Sequence, residues 1–272
     1  MLKSILKLAS ESFTGFKEII WNLNFSKKHT IKVLTDKKFQ FVHYGDVTKL
    51  LFANQHLVKY KKSFEANTLS LYYSLLKPGD TILDIGANVG LFSILASGKI
   101  GAEGKIFAFE PTKKTFNILE ENLKLNNCSN VFPVETALSN FKGKVSFEVP
   151  EVVTTKYNYG DSYQSMSADF NNKSNLVECI KLDEFIGDRE IHHVDLIKID
   201  IEGAEKICFE GAEGLFSKDK KPIIIMESDD YLCDRFGYTT FDTLHFLSKF
   251  GYSFKQYEHN QWLATPANTI LN

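Results

Sequence analysis

The chain has 272 residues, 43% of them hydrophobic and 24% charged. This is globular composition, and it excludes a collagenous, coiled-coil or wholly disordered protein. With 32 basic and 34 acidic side chains, the chain as a whole is no polycation built for duplex nucleic acid.

No apolar run approaches the ~18 uncharged residues of a spanning helix. The first residues lack the long apolar region and small-residue cleavage site of a signal peptide. Cys128, Cys179, Cys208 and Cys233 form no CxxC pair, so reduced thiols and a cytoplasmic location are expected.

The charge is unevenly spread. Residues 1–62 carry twelve lysines against Glu11, Glu18, Asp36 and Asp46, a net +8, which leaves −10 on the remainder. A basic extension over 1–62 ahead of a separate domain over 63–272, two regions with different jobs, is therefore expected. Leu2, Ile5, Leu6, Ala9, Phe13, Phe16 and Ile20 fall on one helical face, with Lys3, Lys7 and Lys17 away from it. Such a helix docks on its own protein or makes peripheral contact with a membrane surface or partner. Ile31 to Leu34 and Phe39 to His43, split by Thr35-Asp36-Lys37, predict a hairpin.

From Glu65 the pattern changes. A helix from Glu65 to Leu76 ends at the turn Lys77-Pro78-Gly79-Asp80. Strands are predicted at 81–86, 104–111, 131–134, 194–200 and 222–227. Helices are predicted at 91–96, 112–126, 204–216 and 240–250, and a closing antiparallel pair at 252–257 and 262–265. Strands alternating with helices, many of the strands apolar on both faces, predict an α/β fold with a mostly parallel sheet. An insertion at about 140–182 interrupts this rhythm, with extra strands at 145–149 and 176–182. Between these strands lies a polar stretch carrying Tyr157, Tyr159 and Tyr163. Insertions of this kind often carry specificity.

The strongest local signal is Asp84-Ile85-Gly86-Ala87-Asn88-Val89-Gly90, between a strand and a helix. Glycines there let backbone approach a ligand, and the helix behind offers free N–H groups. Asn88 stands where the dinucleotide GxGxxG pattern needs its second glycine. Glu110 ends the next strand, before Pro111, and an acid there can accept both hydroxyls of a ribose. Loop and acid together predict a nucleoside-bearing ligand at the switch point of an open sheet. Asp200 and Glu202 end a later strand on the same side, and Glu227 ends its neighbour. Asp200 could serve as a general base, could hold Mg²⁺ together with Glu227, or could merely cap the following helix. His259, in the last hairpin, is a second candidate base.

Three segments carry a resemblance: Lys77-Pro78-Gly79-Asp80 running into Asp84–Gly90, then Phe109-Glu110-Pro111, then Ile197-Lys198-Ile199-Asp200-Ile201-Glu202-Gly203-Ala204-Glu205. Over roughly residues 60–265 the chain resembles the FkbM family of S-adenosylmethionine-dependent methyltransferases. The resemblance implies a Rossmann-like, seven-stranded class I methyltransferase sheet with its last strand reversed. It also implies O-methylation, often of a sugar, a glycan or a small hydroxylated natural product.

Carried over by motif, Asp84, Gly86, Ala87, Asn88 and Gly90 would line the methionine part of S-adenosylmethionine. Glu110, with Pro111 beside it, would take the ribose, and Thr136, Ala137 and Leu138 would lie near the adenine. Glu65 would help close the cofactor site or be a solvated helix acid. Asp200 and Glu202 would serve the chemical step, and Tyr157, Tyr159 and Tyr163 would shape the acceptor pocket. Two other functions compete: a cofactor-binding protein without turnover, and an N-methyltransferase, whose usual Asn/Asp-Pro-Pro-Tyr/Phe signature is absent. The lysine- and aromatic-rich 57–64 segment lacks an RNA-binding motif, so no nucleic-acid partner is expected.

Overall fold

The computed structural model describes residues 29–32, 38–41, 66–148, 165–167, 175–267 and 269. The expected helix near residues 2–20, Glu65, and the three tyrosines of the insertion lie outside these. The first described element is a hairpin of β1 (His29–Lys32) and β2 (Lys38–Phe41), antiparallel, with Ile31 opposite Phe39.

The main body begins with α1 (Ala66–Leu75), followed by β3 (Thr81–Ile85), α2 (Leu91–Ile100), β4 (Lys105–Phe109), α3 (Lys113–Leu125) and β5 (Val131–Val134). After an intervening small sheet and α4 (Leu182–Asp188), the chain returns through β10 (Leu196–Ile199), α5 (Glu205–Glu210), α6 (Glu213–Phe216) and β11 (Ile223–Glu227). It ends in α7 (Asp230–Asp234), α8 (Thr240–Ser248), β12 (Tyr252–Glu258) and β13 (Gln261–Pro266).

Seven strands form one sheet in the order β12-β13-β11-β10-β3-β4-β5. β5, β4, β3, β10 and β11 are parallel, and β13 runs against both β11 and β12. This is the Rossmann-like architecture with a reversed last strand.

Alternation explains how the sheet is covered. Side chains of a strand point to opposite faces in turn. Ile82, Ile106, Ala108, Leu196 and Ile225 therefore join one core with Leu69 and Tyr72 of α1, Phe92 and Leu95 of α2, and Phe116 and Leu119 of α3. Leu83, Ile85, Phe107, Phe109, Ile197, Ile199 and Met226 join the other, with Leu182 and Phe185 of α4, Phe209, Phe216, and Leu247 of α8. Each fully buried Leu, Ile or Phe stabilises the layers by roughly 1.5–3 kcal/mol. From β3 the chain moves outward to β4 and β5, then crosses back to β10 on the opposite side. That reversal opens a crevice at the C-terminal ends of β3 and β10.

The 140–182 region holds most of a second sheet: β6 (Ala137–Leu138), β7 (Gly143–Glu148), β8 (Ser165–Met166) and β9 (Leu176–Ile180), in the order β6-β9-β7-β8. Val145, Phe147, Met166 and Cys179 pack there against Ala204, Ile207, Cys233 and Tyr238. Among the described residues no helix is long and apolar enough to cross a membrane.

The short helix α7 and the strands β6 and β8 are not among the expected elements, α2 runs four residues past its expected end, and two further departures have a local physical reason. The strand predicted over 176–182 stops at Ile180, and Leu182 begins α4, with Asp183 and Glu184 in its first turn, where acids suit the helix dipole. The helix predicted over 204–216 is broken after Glu210. A Cβ on Gly211 would lie 2.1 Å from the Ser139 carbonyl oxygen, so the chain turns there against backbone of the small sheet. Asp183 then serves both pieces of the break. Its N–H donates to Gly211 O at 2.9 Å, and its carboxylate accepts from Gly214 N at 2.7 Å and Leu215 N at 2.9 Å.

Two alanine substitutions separate these effects. Gly211→Ala should lower the urea midpoint by the equivalent of about 2 kcal/mol or more, as overpacking against backbone does. Gly187→Ala, inside α4 with nothing within 4 Å of the added carbon, should raise stability by roughly 0.5–1 kcal/mol. Equal midpoints for the two variants would show that the Gly211 contact is not tight.

Candidate active site

The chain leaves β3 through three left-handed residues: Gly86 (φ 79°), Asn88 (φ 51°) and Gly90 (φ 91°). The turn is wedged between two strand ends. Gly86 N and Ala87 N both donate to Phe109 O of β4, at 3.1 and 2.9 Å. On the other side Asp200 N donates to Ile85 O at 3.1 Å, and a Cβ on Gly86 would stand 1.9 Å from the Asp200 carbonyl oxygen. A Cβ on Gly90 would meet Leu119 of α3 at 2.7 Å. The two glycines are thus required by the protein's own packing, besides any ligand. Asn122, buried in α3, secures the turn by donating to Val89 O at 2.9 Å.

Glu110 follows β4 directly beside this turn. It is buried, and its Oε1 accepts from Thr112 N at 3.0 Å and from the Thr112 hydroxyl. The Asn88 N–H also reaches the carboxylate. Burial pushes the Glu110 carboxyl above its ordinary range, against these hydrogen bonds. Neighbouring Pro111 is half-buried.

Asp84 sits deeper than the sequence suggests. It shares with Ile82 the face of β3 that packs against α1, α2 and α3, and is 0% exposed. Oδ2 accepts from Ser93 Oγ of α2 at 2.6 Å, and Oδ1 has no hydrogen-bond partner. Burial raises its carboxyl, and the nearby Lys198 ammonium opposes the rise. Lys198 lies directly opposite Asp84 in the β3–β10 register and is the one buried basic side chain among the described residues, at 6% exposed. Its Nζ stands 3.2 Å from Asp200 Oδ2 and 4.8 Å from the centre of the Phe92 ring. Asp84 therefore presents no surface of its own and is flanked by Ser93 and Lys198.

Beyond Asp200 the loop to α5 bends sharply through two left-handed residues, Glu202 (φ 56°) and Gly203 (φ 97°). Gly203 is pressed onto Leu232, where a Cβ would lie 2.5 Å from the main chain. Glu205 closes the bend: its Oε1 accepts from Ile201 N at 3.1 Å and Gly203 N at 3.2 Å. Asp200 does not cap the helix, because Ala204 occupies that place and Glu205 takes the loop's N–H groups. Burial and then the Asp200 and Glu205 charges push Glu202 up to about 8. Burial pushes Glu205 to about 7.

The remaining candidates are spread around this centre. Glu227 Oε2 accepts from Gln261 Nε2 at 2.7 Å, so it is tied into the last hairpin. His259 is exposed at the tip of that hairpin, whose Asn260 O accepts from Ser228 N at 2.8 Å. Thr136 is buried and donates to Glu178 O at 3.0 Å, while Ala137 and Leu138 form β6 and face two different cores. Only the backbone of 136–138 is left to meet a ligand.

Asp200 and Glu227, the pair named for Mg²⁺, each already have a partner. The Lys198 ammonium holds the first and an amide the second, and among the described residues no group of three His, Cys, Asp or Glu side chains comes together. Sequence reasoning passed over Lys198 and Glu205 as functional residues. The available signals were a lysine inside a strand buried on both faces and an acid opening a helix just after a glycine bend.

The Glu110 carboxylate thus stands at one strand end, and the carboxylates of Asp200 and Glu202 stand at the next. The family described as "Methyltransferase FkbM domain" matches residues 84–254. The hexuronic acid methyltransferase AglP of Haloferax volcanii is 26% identical over 147 residues, 54% of this chain and 56% of that protein. The 31-O-demethyl-FK506 methyltransferase FkbM of Streptomyces tacrolimicus is 26% identical over 160 residues, 51% of this chain and 61% of that one. The chain thus spans less than two thirds of the length of these relatives. Among solved structures, the O-methyltransferase of Bacillus cereus in complex with SAH aligns with a TM-score of 0.46 at 12% identity, over 80% of this chain and 89% of that one. With the family match covering well over half of its length, and the glycine turn and the 200–205 loop inside that match, this chain belongs to the FkbM methyltransferase family.

Proposed function

We propose that the protein transfers a methyl group from S-adenosylmethionine to a hydroxyl oxygen of a sugar, glycan or small natural product. The observation that supports this is the glycine turn wedged between two strand ends, with the Glu110 and Asp200 carboxylates on either side of it, as a ribose acceptor and a base would have to stand. The relatives' names, one a hexuronic acid methyltransferase and one acting at a 31-O position, support an oxygen acceptor.

When bound, S-adenosylmethionine supplies a methyl group already activated by its sulfonium. The chain's residues then have three tasks. Glu110 accepts the two ribose hydroxyls, and the N–H groups at the start of α2 face the ligand's anionic end. The Asp200 carboxylate beside the glycine turn favours a cationic ligand. Asp200 takes the proton of the acceptor hydroxyl. Its Oδ2 is held by Lys198, so Oδ1 is assigned to that proton. Placement in line with the acceptor and removal of this proton are the contributions a protein makes to such a transfer.

Three measurements test this. Calorimetry should show S-adenosylmethionine affinity at least tenfold weaker in Glu110→Ala, since each charge-assisted hydrogen bond is worth about 1.5–3 kcal/mol. NAD binding in place of S-adenosylmethionine would overturn the assignment. In the wild type, affinity should fall as pH drops through the Glu110 titration, because the ionised carboxylate is the better acceptor and its proton affinity is raised by burial. Glu110→Gln should flatten that dependence. With uronic and neutral glycosides offered as acceptors, Asp200→Asn should lower turnover by about 10²–10⁴ while still binding cofactor. Wild-type turnover in that variant would remove Asp200 from the chemistry.

A further inference from the structure

Glu205 has no part in the scheme above, yet it is among the most deeply buried charged side chains described, at 1% exposed. Burying a carboxylate is costly unless it is paired, by several kcal/mol when ionised. Among the described residues no basic side chain bonds to Glu205, and its Oε2 has no hydrogen-bond partner. Its neighbours make matters worse. Asp200 and Glu202 face it from the loop, and Cys208 of α5, Cys233 of α7 and Tyr238 surround it. What the side chain does accomplish is local: Oε1 accepts from both Ile201 N and Gly203 N.

Those two bonds act on an unfavourable segment. Left-handed backbone costs a residue with a side chain roughly 1–2 kcal/mol, and Glu202 adopts it at φ 56°. The other end of the bend is gripped from outside, where the Tyr238 hydroxyl donates to Gly203 O. The bend begins at Asp200, whose carbonyl is the atom in contact with Gly86.

We propose that Glu205 is a positioning residue: by taking the Ile201 and Gly203 N–H groups it holds loop 200–203 in the shape that presents Asp200 and Glu202 to the crevice and keeps the Asp200 carbonyl seated on the glycine turn. The functional part of this rests on the reading of Asp200 as base. The structural part does not, and neither requires the acceptor to be known.

Amide hydrogen exchange resolved by NMR on the full chain decides it. In Glu205→Ala, the Ile201 and Gly203 amides should exchange at least tenfold faster, while Ile197 and Ile199 in β10 keep wild-type protection. Glu205→Gln retains the accepting oxygen and should restore both loop amides to within about threefold of wild type. Turnover should follow the loop, falling at least tenfold in the alanine variant and recovering in the glutamine variant. Unchanged protection of Ile201 and Gly203 in Glu205→Ala overturns the proposal. If the alanine variant does not fold, Glu205→Gln carries the test alone, and loss of loop protection in that folded variant overturns it. Wild-type turnover in Asp200→Asn would instead remove the base reading, while the exchange pattern would still stand or fall by itself.

Discussion

The site depends on one close approach of backbone to backbone. The Asp200 carbonyl occupies the space where Gly86 would carry a side chain. Two parallel strands, β3 and β10, can end at the same level only because the residue leaving β3 has no Cβ and adopts φ 79°. From that contact the rest is positioned. Gly86 and Ala87 turn their N–H groups to β4 and bring Asn88 over Glu110. On the far side the chain must leave Asp200 by a sharp bend, which Glu205 and Tyr238 hold from beneath. The glycine turn and the 200–203 loop are thus two halves of a single joint.

The charges around this joint form a graded arrangement. Asp84 and Lys198 face each other across two strands, Asp200 continues from Lys198 to the strand end, and Glu202 stands one bend further on. One buried cation serves two carboxylates, and the surplus negative charge lies toward the crevice. A surface ion pair would be screened and worth little. Here the Lys198 and Asp200 side chains are only 7% and 26% exposed, so their geometry is held by packing against Phe92 as much as by attraction.

Much of the fold was legible because strands buried on both faces announce themselves. Thr81 to Ile85 and Leu196 to Ile199 read as sheet interior without help from their neighbours, and their order follows from alternation with helices. What could not be read was set by distant atoms. The break at Gly211 comes from the Ser139 carbonyl, and the start of α6 from the Asp183 carboxylate on another helix. No local pattern encodes either. The site was legible by motif but not by depth. Asp84 lies in a strand covered by helices on both faces, so its side chain is buried whichever face it takes, a point that a motif match passes over. Glu205 looked like the tail of a motif, and its work shows only once the Ile201 and Gly203 N–H groups are traced to it.

The crowded acids of the 200–205 bend make folding a proton-uptake reaction. Glu202 and Glu205 titrate ordinarily in the unfolded chain but at about 8 and about 7 in the folded one. Around neutrality the native state therefore retains protons that the unfolded chain releases. By linkage, this contribution to stability is fully present below the ordinary carboxylate range and is lost as pH climbs toward 8. A cation entering the crevice can take over the neutralising role of those protons. On the proposed reading the reaction consumes that cation's charge, since the methyl donor is left as a neutral thioether.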